Sequence, residues 1–333
     1  MPIDAEVAAI FEQNLRAVPP PDFASLQGTG LQRHLAQIRS RPRSAATPEL
    51  VDEVTERRVS DRDVPVRIYR PQADTVLPLL VYMHGGGWVA GDLETHDATC
   101  RYLANQVGAV IVNVDYRLAP EHPYPEPLDD CWAVVEWVSE HAEQLGVDRF
   151  GVAGSSAGGN LAAAIALRAR DAGGPTLAAQ VLIYPVLDST MSAPSFAMYG
   201  ADYYLTTDQM QWYWTCYVPD ANRRTEPRAS PSHAIDLGGV AQALIVTAEF
   251  DPLRDEGERY ADRLRVAGVP TTLIRIEGQP HGFLGLAGVA AQPTAARQAI
   301  AGLVRTCLGH PRSDTDATPT PTPTPTSTSL SEH

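Results

Sequence analysis

Between residues 54 and 308, short apolar runs alternate with stretches of helical periodicity, and that alternation leaves few folds open to this chain. The runs at 64–69, 77–83, 109–114, 150–153, 180–184, 243–247 and 271–276 are expected strands. Helices are expected near 95–106, 128–141, 160–170 and 255–267, separating the later strands. A repeat of this kind builds an α/β fold with a mostly parallel central sheet and helices on both faces. Ligands of such a sheet bind beyond the carboxyl ends of its strands.

The ends of four of these strands carry chemistry. The run at 150–153 leads through Gly154-Ser155-Ser156-Ala157-Gly158 into the helix expected near Asn160. A serine on a sharp strand-to-helix turn is pushed out above the sheet, and the flanking glycines let the chain fold back without a side-chain clash. The run at 77–83 ends in His84-Gly85-Gly86-Gly87-Trp88. Glycines let a backbone approach a ligand closely and expose consecutive amides, as an oxyanion site needs; the N–H groups of Gly85, Gly86 and Ala157 are the candidates. Further on, 243–248 leads to Asp251, and 271–276 leads to His281.

A serine hydroxyl is hardly ionised at neutral pH and needs a base beside it to act as a nucleophile. An imidazole can take that proton and later return it to a leaving group, and a carboxylate can hold the ring in the tautomer required. Ser156, Asp251 and His281 occur in the order serine, acid, histidine, which is the order of the α/β-hydrolases.

The chain resembles the hormone-sensitive-lipase-like carboxylesterases, the bacterial family IV group of that superfamily. The likeness covers residues 54–308 and rests on the His84 to Trp88 loop, Asp115-Tyr116-Arg117-Leu118-Ala119-Pro120-Glu121-His122, and Gly154 to Asn160. It continues through Tyr184-Pro185-Val186-Leu187-Asp188, the segment from Asp251 to Glu256, and His281-Gly282-Phe283. It departs from the family at Ser155, where Asp or Thr is common. The resemblance implies the α/β-hydrolase fold with a helical cap, and a serine esterase that acts on short-chain acyl esters without a cofactor. Family members often dimerise through an edge strand near the C-terminus, so a homodimer is an expectation from the same source. An amidase or arylformamidase could use the same triad, and the fold also serves as a small-molecule receptor once the triad is lost.

Each assignment has a plainer rival. Ser156 could be a helix cap. His84 suits a loop brace better than proton transfer. Asp255 competes with Asp251 for the acid role, although an acidic residue early in a helix needs no other purpose than to favour the positive helix end. His310 and His333 also follow the acid, in or beside a polar tail. Arg117, Glu121 and Asp129 read best as structural ion pairs or loop anchors.

Composition narrows the alternatives. With 333 residues, 44 % of them hydrophobic, the chain can bury one large core with a smaller subdomain. A net charge of −14 argues against nucleic acid and against stable attachment to anionic membranes. All 26 basic residues are arginine, which removes the lysine of a phosphate-binding loop and any Schiff-base mechanism. Cys100, Cys131, Cys216 and Cys307 form no C-x-x-C pair and suit a reducing compartment. No metal-ligand spacing appears, the N-terminal segment does not read as a secretory signal, and a cytoplasmic enzyme is expected.

The expected organisation has four parts. Residues 1–50 read as N-terminal helices broken by Pro19-Pro20-Pro21 and contributing to a cap. Residues 51–188 and 231–310 read as the hydrolase core. Residues 189–230 interrupt the alternation and are rich in aromatics, among them Tyr204, Trp212 and Tyr213, as a cap insertion over an apolar pocket would be. Residues 311–333, with Thr-Pro repeated through Pro325, read as a disordered tail.

Overall fold

The computed structural model describes residues 3–17, 21–40, 48–201 and 203–309. The tail at 311–333, His310, His333, Pro19 and Pro20 lie outside the described residues. Two helices come first, α1 (Ala5–Ala17) and α2 (Gly28–Arg39), followed by the strands β1 (Glu53–Val59), β2 (Val64–Arg70) and β3 (Leu77–Met83). Alternation then begins with α3 (Asp97–Leu103), β4 (Val110–Val114), α4 (Glu126–Glu140), β5 (Val147–Ser155), α5 (Ala157–Ala172) and β6 (Gln180–Ile183). Two helices interrupt it, α6 (Pro194–Tyr199) and α7 (Thr207–Tyr217). It resumes with β7 (Ala243–Phe250), α8 (Arg254–Val266), β8 (Thr271–Pro280) and α9 (Ala291–Cys307).

The strands form one eight-stranded sheet in the order β1-β2-β4-β3-β5-β6-β7-β8. Only β2 runs against its neighbours, β1 and β4; every other pairing is parallel. Side chains alternate across a strand, and β3 separates the two cores accordingly. Leu79, Val81 and Met83 face one core with α4, α5 and α8, through residues such as Val135, Leu161 and Leu264. Leu80 and Tyr82 face the other core with α3 and α9, through Leu103, Ile300 and Val304. All seven residues of β3 are buried, which is why it reads as a continuous apolar run.

From β3 the chain passes to β4 on one side, and from β5 to β6 on the other. The carboxyl ends of β3 and β5 therefore flank the crevice at which an open α/β sheet holds its ligand. The helix α5 comes very close to this point. A Cβ on Gly158 would lie 2.0 Å from the Met83 carbonyl oxygen, and one on Gly154 would lie 2.2 Å from that of Gly158.

The seven expected strands all appear, and β1 and α9 are additional. In β1 only Val59 is buried, and apart from Val54 the rest of this edge strand is polar, so no apolar run marks it. In α9 the inner face is built partly of alanine, with Ala296 and Ala301 beside Ile300 and Val304, and that lowers its apolar contrast. The aromatic insertion contains α6 and α7. The helix α2 packs Leu35 and Ile38 into a cluster with Trp212 and Cys216 of α7, while Phe11 of α1 stacks on Tyr204 at 4.5 Å. Among the described residues, no helix is long and apolar enough to cross a membrane.

Candidate active site

Ser156 sits between β5 and α5 with φ 56° and ψ −119°, a backbone conformation that a non-glycine residue adopts only under constraint. The constraint is visible in its hydrogen bonds. The Ser156 N–H donates to the Ile183 carbonyl at 2.9 Å, and the Ser156 carbonyl accepts from Asn160 N–H at 3.1 Å and Val186 N–H at 3.3 Å. Asn160, fully buried, donates its side-chain amide to the Val186 and Ala229 carbonyls at 3.0 and 2.8 Å. The turn is thus held from both sides of the sheet end.

His281 follows β8, and its Nε2 lies 2.9 Å from Ser156 Oγ. Its Nδ1 lies 2.7 Å from Asp251 Oδ2, just after β7. The other Asp251 oxygen accepts the Leu253 N–H at 2.9 Å, and the side chain has no solvent exposure. A carboxylate that accepts at Oδ2 puts the imidazole proton on Nδ1, which leaves the Nε2 lone pair facing the serine hydroxyl. Three segments widely separated in sequence therefore meet in one hydrogen-bonded line.

Asp255 points elsewhere. Its Oδ2 accepts the Ser195 N–H at 2.9 Å, and its Oδ1 takes Arg254 Nε at 2.8 Å, so it ties the start of α6 to α8. Arg117 grips Asp130 through two bonds of 2.8 and 2.7 Å, Arg168 pairs with Asp129 at 2.6 Å, and Arg39 pairs with Glu121 at 2.7 Å. Arg39 also donates to the Val89 and Ala119 carbonyls, which fastens the end of α2 to the glycine loop.

That loop crosses above the end of β3. Gly86 has φ 122°, and a Cβ there would meet the Ala90 carbonyl oxygen at 2.2 Å, so only glycine fits. Among the described residues, neither the Gly86 N–H nor the Ala157 N–H meets a protein acceptor. The Ala157 N–H is also the first of the sixteen-residue helix α5, whose dipole favours negative charge there. The Gly85 N–H is engaged: it donates to His96 Nε2 at 3.3 Å. His84 is fully buried, stacks on Tyr116 at 4.1 Å, and donates from Nδ1 to the Gly85 carbonyl at 2.9 Å. Burial lowers its pKa to about 4, so the ring is a neutral brace.

A cavity of about 290 Å³ opens over Ser156 and His281. Its wall includes Ile38 from α2, His96, Tyr184, and Tyr204, Gln209 and Tyr213 from the aromatic insertion. Behind the site, Glu256 is buried with Oε1 accepting the Leu187 N–H at 2.6 Å. Burial first, then the neighbouring Asp188 and Asp251 carboxylates, push its carboxyl well above the ordinary range.

With this geometry in view, the family described as the alpha/beta hydrolase fold matches residues 80–285. The chain belongs to that family. Within it the chain is a hormone-sensitive-lipase-like carboxylesterase by likeness to its relatives. It is 42 % identical over 293 residues to carboxylesterase NlhH of Mycobacterium tuberculosis, covering 85 % of this chain and 90 % of the relative. It is 45 % identical over 232 residues to carboxylic ester hydrolase LipN of the same organism, covering 67 % of this chain and spanning only 62 % of LipN. Among solved structures, a thermostable esterase from Pseudomonas putida superposes with a TM-score of 0.83 at 35 % identity, covering 92 % of this chain and 98 % of that one.

In this hydrolase, several wall residues escaped the sequence reading. Ile38 and Gln209 carry no motif and reach the cavity only because α2 and α7 pack together. His96 also stands outside any nucleophile or metal pattern. Tyr204 and Tyr213 were marked only by the aromatic richness of their segment.

Proposed function

We propose that this protein hydrolyses short-chain carboxylic esters through an acyl-enzyme on Ser156. The hydrogen-bonded line from Asp251 through His281 to Ser156 carries this reading. In the proposed cycle, Ser156 Oγ attacks the ester carbonyl carbon while its proton passes to His281 Nε2. The carbonyl π pair moves onto oxygen and gives a tetrahedral oxyanion, held by the free backbone N–H groups of the glycine loop and of Ala157. Each donor aimed at such an oxygen is worth roughly 3–4 kcal/mol of barrier. Collapse expels the alcohol, which takes the proton back from His281. Water then repeats the sequence on the acyl-enzyme and releases the acid.

In this reading, α1, α2, α6 and α7 act as the cap, since Ile38, Tyr204 and Tyr213 close the cavity from above. The cavity volume of about 290 Å³ suits a small ester. A homodimer through β8 and a cytoplasmic setting belong to the same proposal. The strand β8 closes one edge of the sheet with Thr272, Arg275 and Glu277 exposed, and the four cysteines are free.

The test is turnover of a p-nitrophenyl acyl series by wild type and Ser156→Ala, with the matching anilides alongside. Loss of about a millionfold in kcat in a folded Ser156→Ala protein supports the reading. A rate near wild type overturns it, and faster cleavage of anilides than esters makes the enzyme an amidase.

A further inference from the structure

Gly85 sits between two histidines. Its N–H donates to His96 Nε2 at 3.3 Å, and its carbonyl accepts from His84 Nδ1 at 2.9 Å. A ring nitrogen that accepts an N–H carries no proton, so the His96 proton is on Nδ1, 3.2 Å from Thr95 Oγ1. The remaining protons then have one consistent assignment. His96 Nδ1–H donates to Thr95 Oγ1, which also accepts the Asp92 N–H at 2.9 Å and gives its own proton to the Asp92 carbonyl at 3.0 Å. The Thr95 N–H closes the turn on Asp92 Oδ1 at 2.7 Å. A short turn before α3 therefore clamps the imidazole, and the rings of His84 and Tyr82 flank it at 5.5 and 6.1 Å. Partial burial, reinforced by the adjacent His84, lowers the His96 pKa below the ordinary imidazole range, so Nε2 keeps its lone pair at neutral pH.

Glycine has no side chain to bias its backbone, so a catalytic glycine needs outside restraint. The restraint at Gly85 has a geometric consequence. The Gly85–Gly86 peptide is trans, so a Gly85 carbonyl fixed on His84 turns the Gly86 N–H the opposite way. Ser156 is close by: its Cβ lies 3.5 Å from where a Cβ on Gly85 would stand. We infer that His96 is a positioning residue of the oxyanion loop: by taking the Gly85 N–H it completes the two-sided clamp that aims the Gly86 N–H at the oxyanion. This rests on the esterase reading above. It differs from the sequence expectation in making Gly85 an anchored residue rather than a donor to the oxyanion.

The experiment compares His96→Ala, His96→Gln and His96→Met with wild type, using p-nitrophenyl butyrate and a trifluoromethyl ketone, which adds to the serine as a charged hemiketal. Without an acceptor, His96→Ala and His96→Met should lose about thirtyfold in kcat, less than deletion of an oxyanion donor costs. KM should stay within about twofold, and ketone affinity should fall in step with kcat. Gln carries an amide oxygen that can reach the place of Nε2, and His96→Gln should recover to within about threefold of wild type. The inference is overturned if His96→Ala keeps full kcat, if the loss lies in KM, or if His96→Gln is as impaired as His96→Met. Should His96→Ala fail to fold, the Gln and Met variants decide by the same readouts. An active Ser156→Ala protein sinks the esterase reading itself, whereas an inert one beside a fully active His96→Ala sinks only the role of His96.

Discussion

Replacing Asp251 by Asn changes one atom in a site with no room to adjust. Asp251 is fully buried, and both of its oxygens accept, one from His281 Nδ1 at 2.7 Å and one from the Leu253 N–H at 2.9 Å. An amide of the same shape offers one acceptor. If its oxygen stays with Leu253, its NH2 faces His281, and the ring must carry its proton on Nε2, where it can no longer take one from Ser156. If the amide flips, its NH2 confronts the Leu253 N–H, a buried mismatch that costs about 1–3 kcal/mol. The charge that stabilises the imidazolium is lost in either case. A fall of about 10³- to 10⁴-fold in kcat follows, or roughly 4–5.5 kcal/mol of barrier. Steady-state kinetics on p-nitrophenyl butyrate, with circular dichroism to verify folding, would measure it. Asp255→Asn is the matched control: it loosens α6 from α8 and should keep kcat within about tenfold, the scale of one hydrogen bond. A folded Asp251→Asn enzyme within tenfold of wild type would refute the reasoning.

Two further outcomes follow from the packing. Gly158→Ala places a methyl carbon 2.0 Å from the Met83 carbonyl oxygen, backbone against backbone, and should destabilise the fold by about 3 kcal/mol or leave it insoluble; urea denaturation with near-wild-type stability would contradict the close approach of α5 to β3. Glu256 has a folded-state pKa raised chiefly by burial, so the folded form holds its proton where the unfolded chain has released it. Its contribution to stability is complete below the ordinary carboxylate range and declines as pH rises through and beyond it, so Glu256→Gln should gain on wild type as the pH is raised above that range. A difference between the two urea curves that does not change with pH would count against it.

The segments of the proposed triad were legible because each stands directly after an apolar run, and a parallel sheet brings the carboxyl ends of its strands to one side. Ser156, Asp251 and His281 were singled out by that placement together with their side-chain chemistry, their order in the chain and the family resemblance. The choice between Asp251 and Asp255 was harder, since they lie about one helical turn apart; the structure separates them by partner, His281 for one and Ser195 for the other. The strand β1 was missed because its exposed edge repeats charged residues rather than apolar ones. Gly85 was counted among the oxyanion donors, and nothing local in the sequence indicates that His96 takes its N–H.

Sequence by itself determined the alternation of the seven apolar strands with helices, the glycines that permit close backbone approach, and the three residue types suited to acyl transfer. These are local matters of periodicity, steric size and side-chain chemistry. Tertiary structure decided which N–H groups remain free, which acid meets the histidine, and which residues wall the cavity. Those outcomes depend on hydrogen bonds and contacts between segments far apart in the chain, such as Ile38 with α7 and Gly85 with His96, and such partners are chosen only when the sheet and its covering helices close.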